Sequence, residues 1–144
     1  MLKGIPSIIS PNLMKVLMEM GHGDEIVFAD RNFPASSTAK KLIRCDGHGI
    51  PEILDAVMNF FPLDYAVKHP VALMAVTPGN PYKPVIWEDY FCCIKKYHED
   101  FSEFEYIERF EFYERAKKAY TVVATGEKAR FANVILKKGI VVEE

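Results

Sequence analysis

The chain of 144 residues has the size of one domain, and its composition (49% hydrophobic, 26% charged) excludes a disordered protein. The formal net charge of −2 excludes a basic surface for nucleic acid or anionic lipid, no apolar run is long enough to cross a bilayer, and no signal peptide is expected. The three cysteines Cys45, Cys92 and Cys93 are an odd number with two adjacent, which disfavours a disulfide framework and predicts a cytoplasmic protein.

Helical and strand patterns alternate along the chain. Ser10 and Pro11 predict a helix start, because a hydroxyl cap precedes proline at the first helical position, and this helix is expected to end at Gly21. The other predicted elements are, in chain order, a strand over Glu25–Asp30, a loop over 31–41, a strand over Leu42–Cys45, a helix from Pro51 to just before Pro62, a strand over Val71–Val76, a helix over Ile86–Tyr97, a strand over Glu105–Phe110, a helix over Phe112–Ala119, and strands over Thr121–Thr125 and Asn133–Leu136. The alternation predicts one α/β domain over residues 1–144 with a layered sheet.

A histidine between two glycines follows the first helix, and a carboxylate ends the next strand. Histidine changes its charge near neutral pH, and the flanking glycines leave the ring of His22 uncovered. Asp30, at the strand end, is placed to orient a polar ligand. The pair indicates an acid–base enzyme acting on an uncharged, hydroxyl-rich molecule. The alternative is that His22 only complements the negative C-terminal end of the helix.

Two later segments carry further polar candidates. Arg109 lies at a predicted strand-to-helix turn, where α/β sheets place their ligands, whereas the charged residues 114–118 are typical of a solvated helix face. Asn133 enters a strongly apolar strand. Its amide can pair with a ligand hydroxyl as donor and acceptor, or it can cap a turn.

Sequence motifs for several other chemistries are missing. No dinucleotide fingerprint or phosphate-binding glycine loop follows a strand, and no serine occurs in a nucleophile elbow, so no cofactor is expected. The four histidines lack the spacing of a zinc-protease helix and no Cys-x-x-Cys pair exists, so no metal is expected. A cluster of His22, Asp24 and His48 stays open as a metal-dependent alternative.

Seven stretches match one known family across nearly the whole chain, in the same order. They are Ile9–Pro11, Met20–Ile26, Asp30 with Asn32–Pro34, Ile43–Gly47, Arg109–Ala116, Thr125–Glu127 and Asn133–Gly139. On these residues the chain resembles the RbsD/FucU family of sugar mutarotases, and most closely its L-fucose mutarotase branch. The resemblance implies a three-layer α/β/α domain with a mixed sheet. It also implies ring-shaped homodecamers whose active sites lie near subunit boundaries.

The resemblance further implies roles for individual residues. His22 matches the family's proton donor, Asp30 a sugar-binding carboxylate, and Arg109 a second substrate contact that is histidine in the ribose-acting branch. Asn133 and the backbone of Ala132 match additional sugar contacts. The expected activity is therefore interconversion of the α and β anomers of L-fucose by ring opening, with His22 as proton shuttle and no cofactor.

Position 131 departs from the family pattern, because the family has tyrosine where this chain has Phe131. If that hydroxyl takes part in the reaction, another group such as Tyr113 or Tyr120 must replace it. Phe131 itself is expected to lie against an apolar edge of the sugar, such as the methyl group of a 6-deoxyhexose. Two other functions stay open: a ribose-type pyranase or mutarotase, and a non-catalytic monosaccharide-binding protein.

Overall fold

The computed structural model describes residues 1–143, in which five helices flank one six-stranded sheet. The helices are α1 (Pro11–Glu19), α2 (Ala35–Thr38), α3 (Ile50–Met58), α4 (Ile86–Tyr97) and α5 (Arg109–Lys118). The strands are β1 (Glu25–Ala29), β2 (Leu42–Cys45), β3 (Val71–Met74), β4 (Glu105–Ile107), β5 (Thr121–Thr125) and β6 (Val134–Lys137). Within residues 1–143, no helix has the length and apolar character needed to cross a membrane.

The direction of the strands decides which loops meet. The strand order is β2-β5-β1-β6-β3-β4, and β6 pairs antiparallel with both β1 and β3, while the other neighbours pair parallel. Five strands therefore end at one edge of the sheet, where β6 begins; we call it the C-terminal edge. The opposite edge, where β1 begins and β6 ends, is the N-terminal edge.

Hydrophobic residues of β1 alternate between two cores, one on each face of the sheet. Ile26 and Phe28 pack in a cluster with residues of α1, α3 and α4. Val27 and Ala29 pack in a second cluster with residues of α2 and α5. Side chains of a strand point alternately to its two faces, so the apolar run of β1 is covered on both sides. The predicted three-layer α/β fold with a mixed sheet is confirmed.

The predicted loop over residues 31–41 contains a helical turn. In α2 the amides of Thr38 and Ala39 donate to the carbonyls of Pro34 and Ala35 at 3.1 and 2.9 Å. The prediction of an unbroken loop is wrong, because one turn of four residues is too short to show a helical hydrophobic period.

The boundary between β4 and α5 also differs from the prediction. The strand ends at Ile107, and the carboxylate of Glu108 accepts hydrogen bonds from the amides of Phe110 (2.9 Å) and Glu111 (3.1 Å). This cap begins α5 at Arg109, so the predicted strand over Glu105–Phe110 is three residues too long. Glutamate is not among the preferred N-cap residues, which is why the sequence pattern concealed the start of the helix.

Candidate active site

A cavity of about 230 Å³ opens at the C-terminal edge of the sheet. It is smaller than the pockets of about 300–1,000 Å³ that hold drug-sized ligands, as suits a monosaccharide. Its lining residues are Asp30, Asn32, Phe33, Met74, Thr77, Asn80, Arg109, Tyr113, Arg130, Phe131 and Asn133. Four of the six site residues predicted from the sequence therefore line one cavity.

Asp30 is a buried carboxylate on the wall of this cavity, with an exposed fraction of 8%. Burial raises its pKa above the usual aspartate value, and amide hydrogen bonds from Asn32, Phe33 and Ala132 oppose that increase. The Oδ1 atom of Asn133 accepts the backbone N–H of Asp30 at 2.7 Å. The amide oxygen of Asn133 is thus engaged, and its Nδ2 group remains as the donor for a ligand.

Arg109 is exposed and is the first residue of α5, whereas the predicted strand over Glu105–Phe110 included it. Its Nε atom donates to the Oη atom of Tyr113 at 3.1 Å, one helical turn further on. The guanidinium also lies 5.5 Å from the centre of the Tyr113 ring and 5.3 Å from that of Phe110. These contacts aim Arg109 at the cavity, and the O–H of Tyr113 is left to donate to a ligand.

The turn before β6 forms another part of the cavity wall. Phe131 lines the cavity, whereas Ala132 is fully buried and faces the site only through its backbone. The carbonyl oxygens of these two residues accept hydrogen bonds from Trp87 Nε1 (2.8 Å) and Tyr90 Oη (2.7 Å), both on α4. Two side chains of one helix therefore fix this turn.

His22 lies at the other end of the molecule. It precedes β1, while Asp30 follows β1, and the five residues of that strand span about 17 Å at roughly 3.3 Å per residue. Within one chain, His22 is far outside hydrogen-bond reach of anything bound at Asp30. The prediction that these two residues form one site is therefore not met inside a single chain.

The imidazole of His22 pairs with a carboxylate that the sequence reasoning missed. Its Nε2 atom lies 3.2 Å from Oδ1 of Asp64, and the His22 side chain is 51% exposed while that of Asp64 is 6% exposed. Burial raises the pKa of Asp64, but the amide of Ala66 and the His22 ring more than offset this, so the pKa lies below its usual value. No local motif marks Asp64, since 42 residues separate it from His22.

A metal cluster of His22, Asp24 and His48 is not formed within the chain. His48 follows β2 at the C-terminal edge, and its Nδ1 atom lies 3.1 Å from Glu52 Oε1. His22 and Asp24 lie at the N-terminal edge. Across residues 1–143, no group of three or more histidine, cysteine, aspartate or glutamate side chains is arranged to hold a metal ion.

The two tyrosines considered as replacements for a hydroxyl at position 131 lie in different places. Tyr113 shares the cavity with Phe131. Tyr120 lies at the N-terminal edge, where its Oη atom accepts from Lys41 Nζ at 2.7 Å and donates to Glu19 at 3.2 Å. Tyr113 is therefore the tyrosine that shares the cavity with Asp30 within the same chain.

Residues 3–141 match the RbsD / FucU transport protein family. The chain belongs to this family. It is 49% identical over 140 residues to an L-fucose mutarotase of Actinobacillus pleuropneumoniae serotype 5b, with 97% of each chain covered. It is also 48% identical over 145 residues to the human fucose mutarotase, covering 96% of this chain and 94% of that protein.

A solved structure extends the similarity to three dimensions. The crystal structure of the fucose mutarotase of Streptococcus pneumoniae in complex with L-fucose superposes with a TM-score of 0.94 and 53% identity. The alignment covers 98% of this chain and all of that chain. The layered sheet described above is thus the fold of a fucose mutarotase in this family.

Proposed function

We propose that this protein is an L-fucose mutarotase, a cofactor-independent isomerase in a single domain over residues 1–144. The observation that carries the proposal is the near full-length similarity, at 53% identity and a TM-score of 0.94, to a fucose mutarotase that binds L-fucose. The small polar cavity around Asp30, Arg109 and Asn133 supports it, because a neutral sugar is recognised by hydrogen bonds rather than by a strong field of one sign.

The reaction opens and recloses the sugar ring with the help of proton transfers. A base removes the proton of the anomeric hydroxyl while an acid protonates the ring oxygen, and the bond between the ring oxygen and the anomeric carbon breaks. The free aldehyde turns about its bond to C2, and closure on the opposite face returns both protons. No electrons or other groups are exchanged, so acid–base groups suffice, and one positioned group contributes about 10²–10⁴-fold in rate.

Side chains of the cavity hold the sugar in this proposal. The carboxylate of Asp30 accepts hydrogen bonds from sugar hydroxyls, and Arg109 and Asn133 donate to them. The bonds made by the charged groups of Asp30 and Arg109 are the stronger ones. The ring of Phe131 lies against the apolar methyl edge of a 6-deoxy sugar. The backbone amide of Ala132 lowers the pKa of Asp30 and so opposes the effect of burial on its carboxylate.

We further propose that His22 reaches the sugar from a neighbouring subunit, in a ring-shaped homodecamer with its sites at the subunit boundaries. Proton transfer requires heavy atoms about 2.6–3.2 Å apart, and the length of β1 prevents this within one chain. A second cavity of about 540 Å³ adjoins the site and shares Asp30 and Phe33 with it, which leaves space beside the sugar for a segment of another subunit. Asp64 lies on the same chain as His22 and orients its ring through the 3.2 Å contact between Oδ1 and Nε2.

We propose a cytoplasmic location on the basis of the cysteines. Cys45, Cys92 and Cys93 are free thiols and Cys92 is exposed, which suits the reducing cytoplasm. The proposed partners are a small monosaccharide as substrate and further copies of the same chain. Nucleic acid, a membrane and a metal ion have no role in this proposal.

The test is saturation-transfer NMR on equilibrated L-fucose, with exchange between the α and β anomeric protons as readout. We expect the wild type to accelerate exchange and His22→Ala to abolish the acceleration. His69→Ala is the matched control, because His69 also lies before a strand at the N-terminal edge and pairs with a carboxylate, Glu103, at 3.0 Å. Saturable L-fucose binding without acceleration would instead identify a non-catalytic sugar-binding protein, and acceleration with D-ribose alone would identify the ribose-type activity.

A further inference from the structure

Phe131 is held in a backbone conformation that side chains rarely adopt. Its φ angle is +56°, and it is the one non-glycine residue with positive φ among residues 1–143. This left-handed region is unusual for a bulky residue, because Cβ approaches the neighbouring carbonyl oxygen. Such strain persists only when the surroundings over-determine the conformation, and it is concentrated at functional sites.

Hydrogen bonds on both sides of the turn supply that constraint. The indole Nε1–H of Trp87 donates to the carbonyl of Phe131 at 2.8 Å, and the hydroxyl of Tyr90 donates to that of Ala132 at 2.7 Å. Positions 87 and 90 are three residues apart and thus share one face of α4. On the other side of the turn, Oδ1 of Asn133 accepts a hydrogen bond from the backbone N–H of Asp30.

This arrangement decides what the turn presents to the cavity. With both carbonyls bonded to α4, the ring of Phe131 forms part of the cavity wall, and the backbone amide of Ala132 lies near the carboxylate of Asp30, whose pKa it lowers. If the Phe131 carbonyl were released, the strained residue would relax towards negative φ and carry its ring out of the wall. The Ala132 amide would move with it.

We infer that Trp87 is a positioning residue for the sugar site, acting through its indole N–H on the Phe131 carbonyl. The inference rests on the proposed sugar-binding function of the cavity. Trp87 is half-buried and does not line that cavity; instead it lines a separate groove between α4 and residues 102–106, together with Phe91, Phe104 and Tyr106. Its effect on substrate is therefore indirect, through the backbone of the turn.

Trp87 is also the one tryptophan of the chain, which makes it a direct spectroscopic probe of the turn. Indole emission responds to the hydrogen bond made by its N–H group. We expect L-fucose to change the emission of the wild type saturably, with a midpoint equal to the dissociation constant from calorimetry. A fluorescence signal that stays flat while calorimetry shows binding would overturn the inference.

The decisive variant is Trp87→Phe, which keeps an aromatic ring and removes the donor. One hydrogen bond between neutral groups corresponds to about 2- to 10-fold in an equilibrium constant, so we expect the KM and the dissociation constant for L-fucose to rise by about that factor. We expect kcat to change less than KM. Tyr106→Leu is the matched control, since it removes the ring that lies 5.3 Å from Trp87 and leaves the hydrogen bond intact.

A second variant separates positioning from general loss of structure. Glycine adopts positive φ without strain, so a chain with Phe131→Gly does not need the Trp87 hydrogen bond to hold that angle. We expect Trp87→Phe to weaken L-fucose binding clearly less in the Phe131→Gly background than in the wild type, in a double-mutant cycle. Equal effects in both backgrounds would show a role independent of the turn and overturn the inference.

The outcomes also distinguish this inference from the proposed function. A wild type that binds L-fucose but does not accelerate anomer exchange overturns the mutarotase proposal alone, and the dissociation constants then decide the role of Trp87. A wild type that accelerates exchange, with Trp87→Phe folded by circular dichroism and unchanged in KM and dissociation constant, overturns the role of Trp87 alone. A wild type that binds no L-fucose overturns both.

Discussion

Mixing two inactive variants tests whether each active site takes His22 from one subunit and Asp30 from another. In one chain β1 keeps these residues about 17 Å apart or more, roughly five times the reach of a direct proton transfer. We therefore expect His22→Ala and Asp30→Ala to be inactive separately and active together. Equal amounts of the two chains are unfolded together, refolded and assayed by saturation-transfer NMR.

The expected recovery follows from the geometry of a closed ring with repeated head-to-tail boundaries. At each boundary one subunit supplies His22 and the next supplies Asp30, and each has about one chance in two of carrying the intact residue. About one quarter of the sites are then complete, so the mixture is expected to reach about one quarter of the wild-type rate per chain.

A second mixture gives the matched control. Wild type mixed with the double variant His22→Ala/Asp30→Ala is expected to retain about one quarter of the wild-type rate if sites cross the boundary, and about one half if each site lies within one chain. Isotope labelling of one chain type and native mass spectrometry show that the subunits have mixed. No recovery in the first mixture, in ring assemblies proven to be mixed, would refute the two-subunit site.

Three further predictions concern individual carboxylates and one buried hydroxyl. We expect Asp64→Asn to lower the kcat for L-fucose about 10–100-fold with little change in KM, because it removes the charged partner that we propose orients His22; an unchanged kcat would contradict this role. Because burial raises the pKa of Asp30, its carboxylate accepts a proton at a higher pH than an ordinary aspartate, so KM should rise as the pH falls through that pKa, and Asp30→Asn should remove this dependence. A wild-type KM that is constant down to pH 4 would contradict the proposed role of the Asp30 carboxylate in sugar binding. We expect Tyr90→Phe to lower the free energy of unfolding by about 1–3 kcal/mol in urea titrations, since the buried carbonyl of Ala132 loses its donor at 2.7 Å; Tyr106→Phe, at an exposed ring, is the control.

Elements with a strong local signal were predicted closely. The apolar period over residues 86–97 predicts α4 with the observed bounds, and Ser10 caps α1 by accepting the amide of Leu13 at 3.1 Å. Gly21 was expected to end α1, but the helix ends at Glu19 and the positive φ of this loop occurs at Gly23. Local patterns locate an element well, and its last residues less well, because caps depend on single hydrogen bonds.

The residues of the candidate site also differ in how well the sequence predicts them. Asp30, Arg109 and Asn133 were identifiable because polar residues at the ends of predicted strands gather at one edge of a sheet. Arg109 was placed on the wrong element, since its position depends on the Glu108 cap. Asp64 was missed because its partner His22 is 42 residues away, and no short-range pattern encodes such a pair.

The sequence by itself determined the layered α/β class, because helical and strand patterns alternate along the chain, and it marked polar residues suited to a neutral sugar. The family came from the seven stretches that resemble it. Only the tertiary structure decided that His22 and Asp30 lie at opposite edges of the sheet, that Asp64 pairs with His22, and that Trp87 donates to the carbonyl of Phe131, whose φ is positive. The physical reason is that these relations depend on strand direction and on contacts between residues far apart in the chain. A linear pattern does not record either of them.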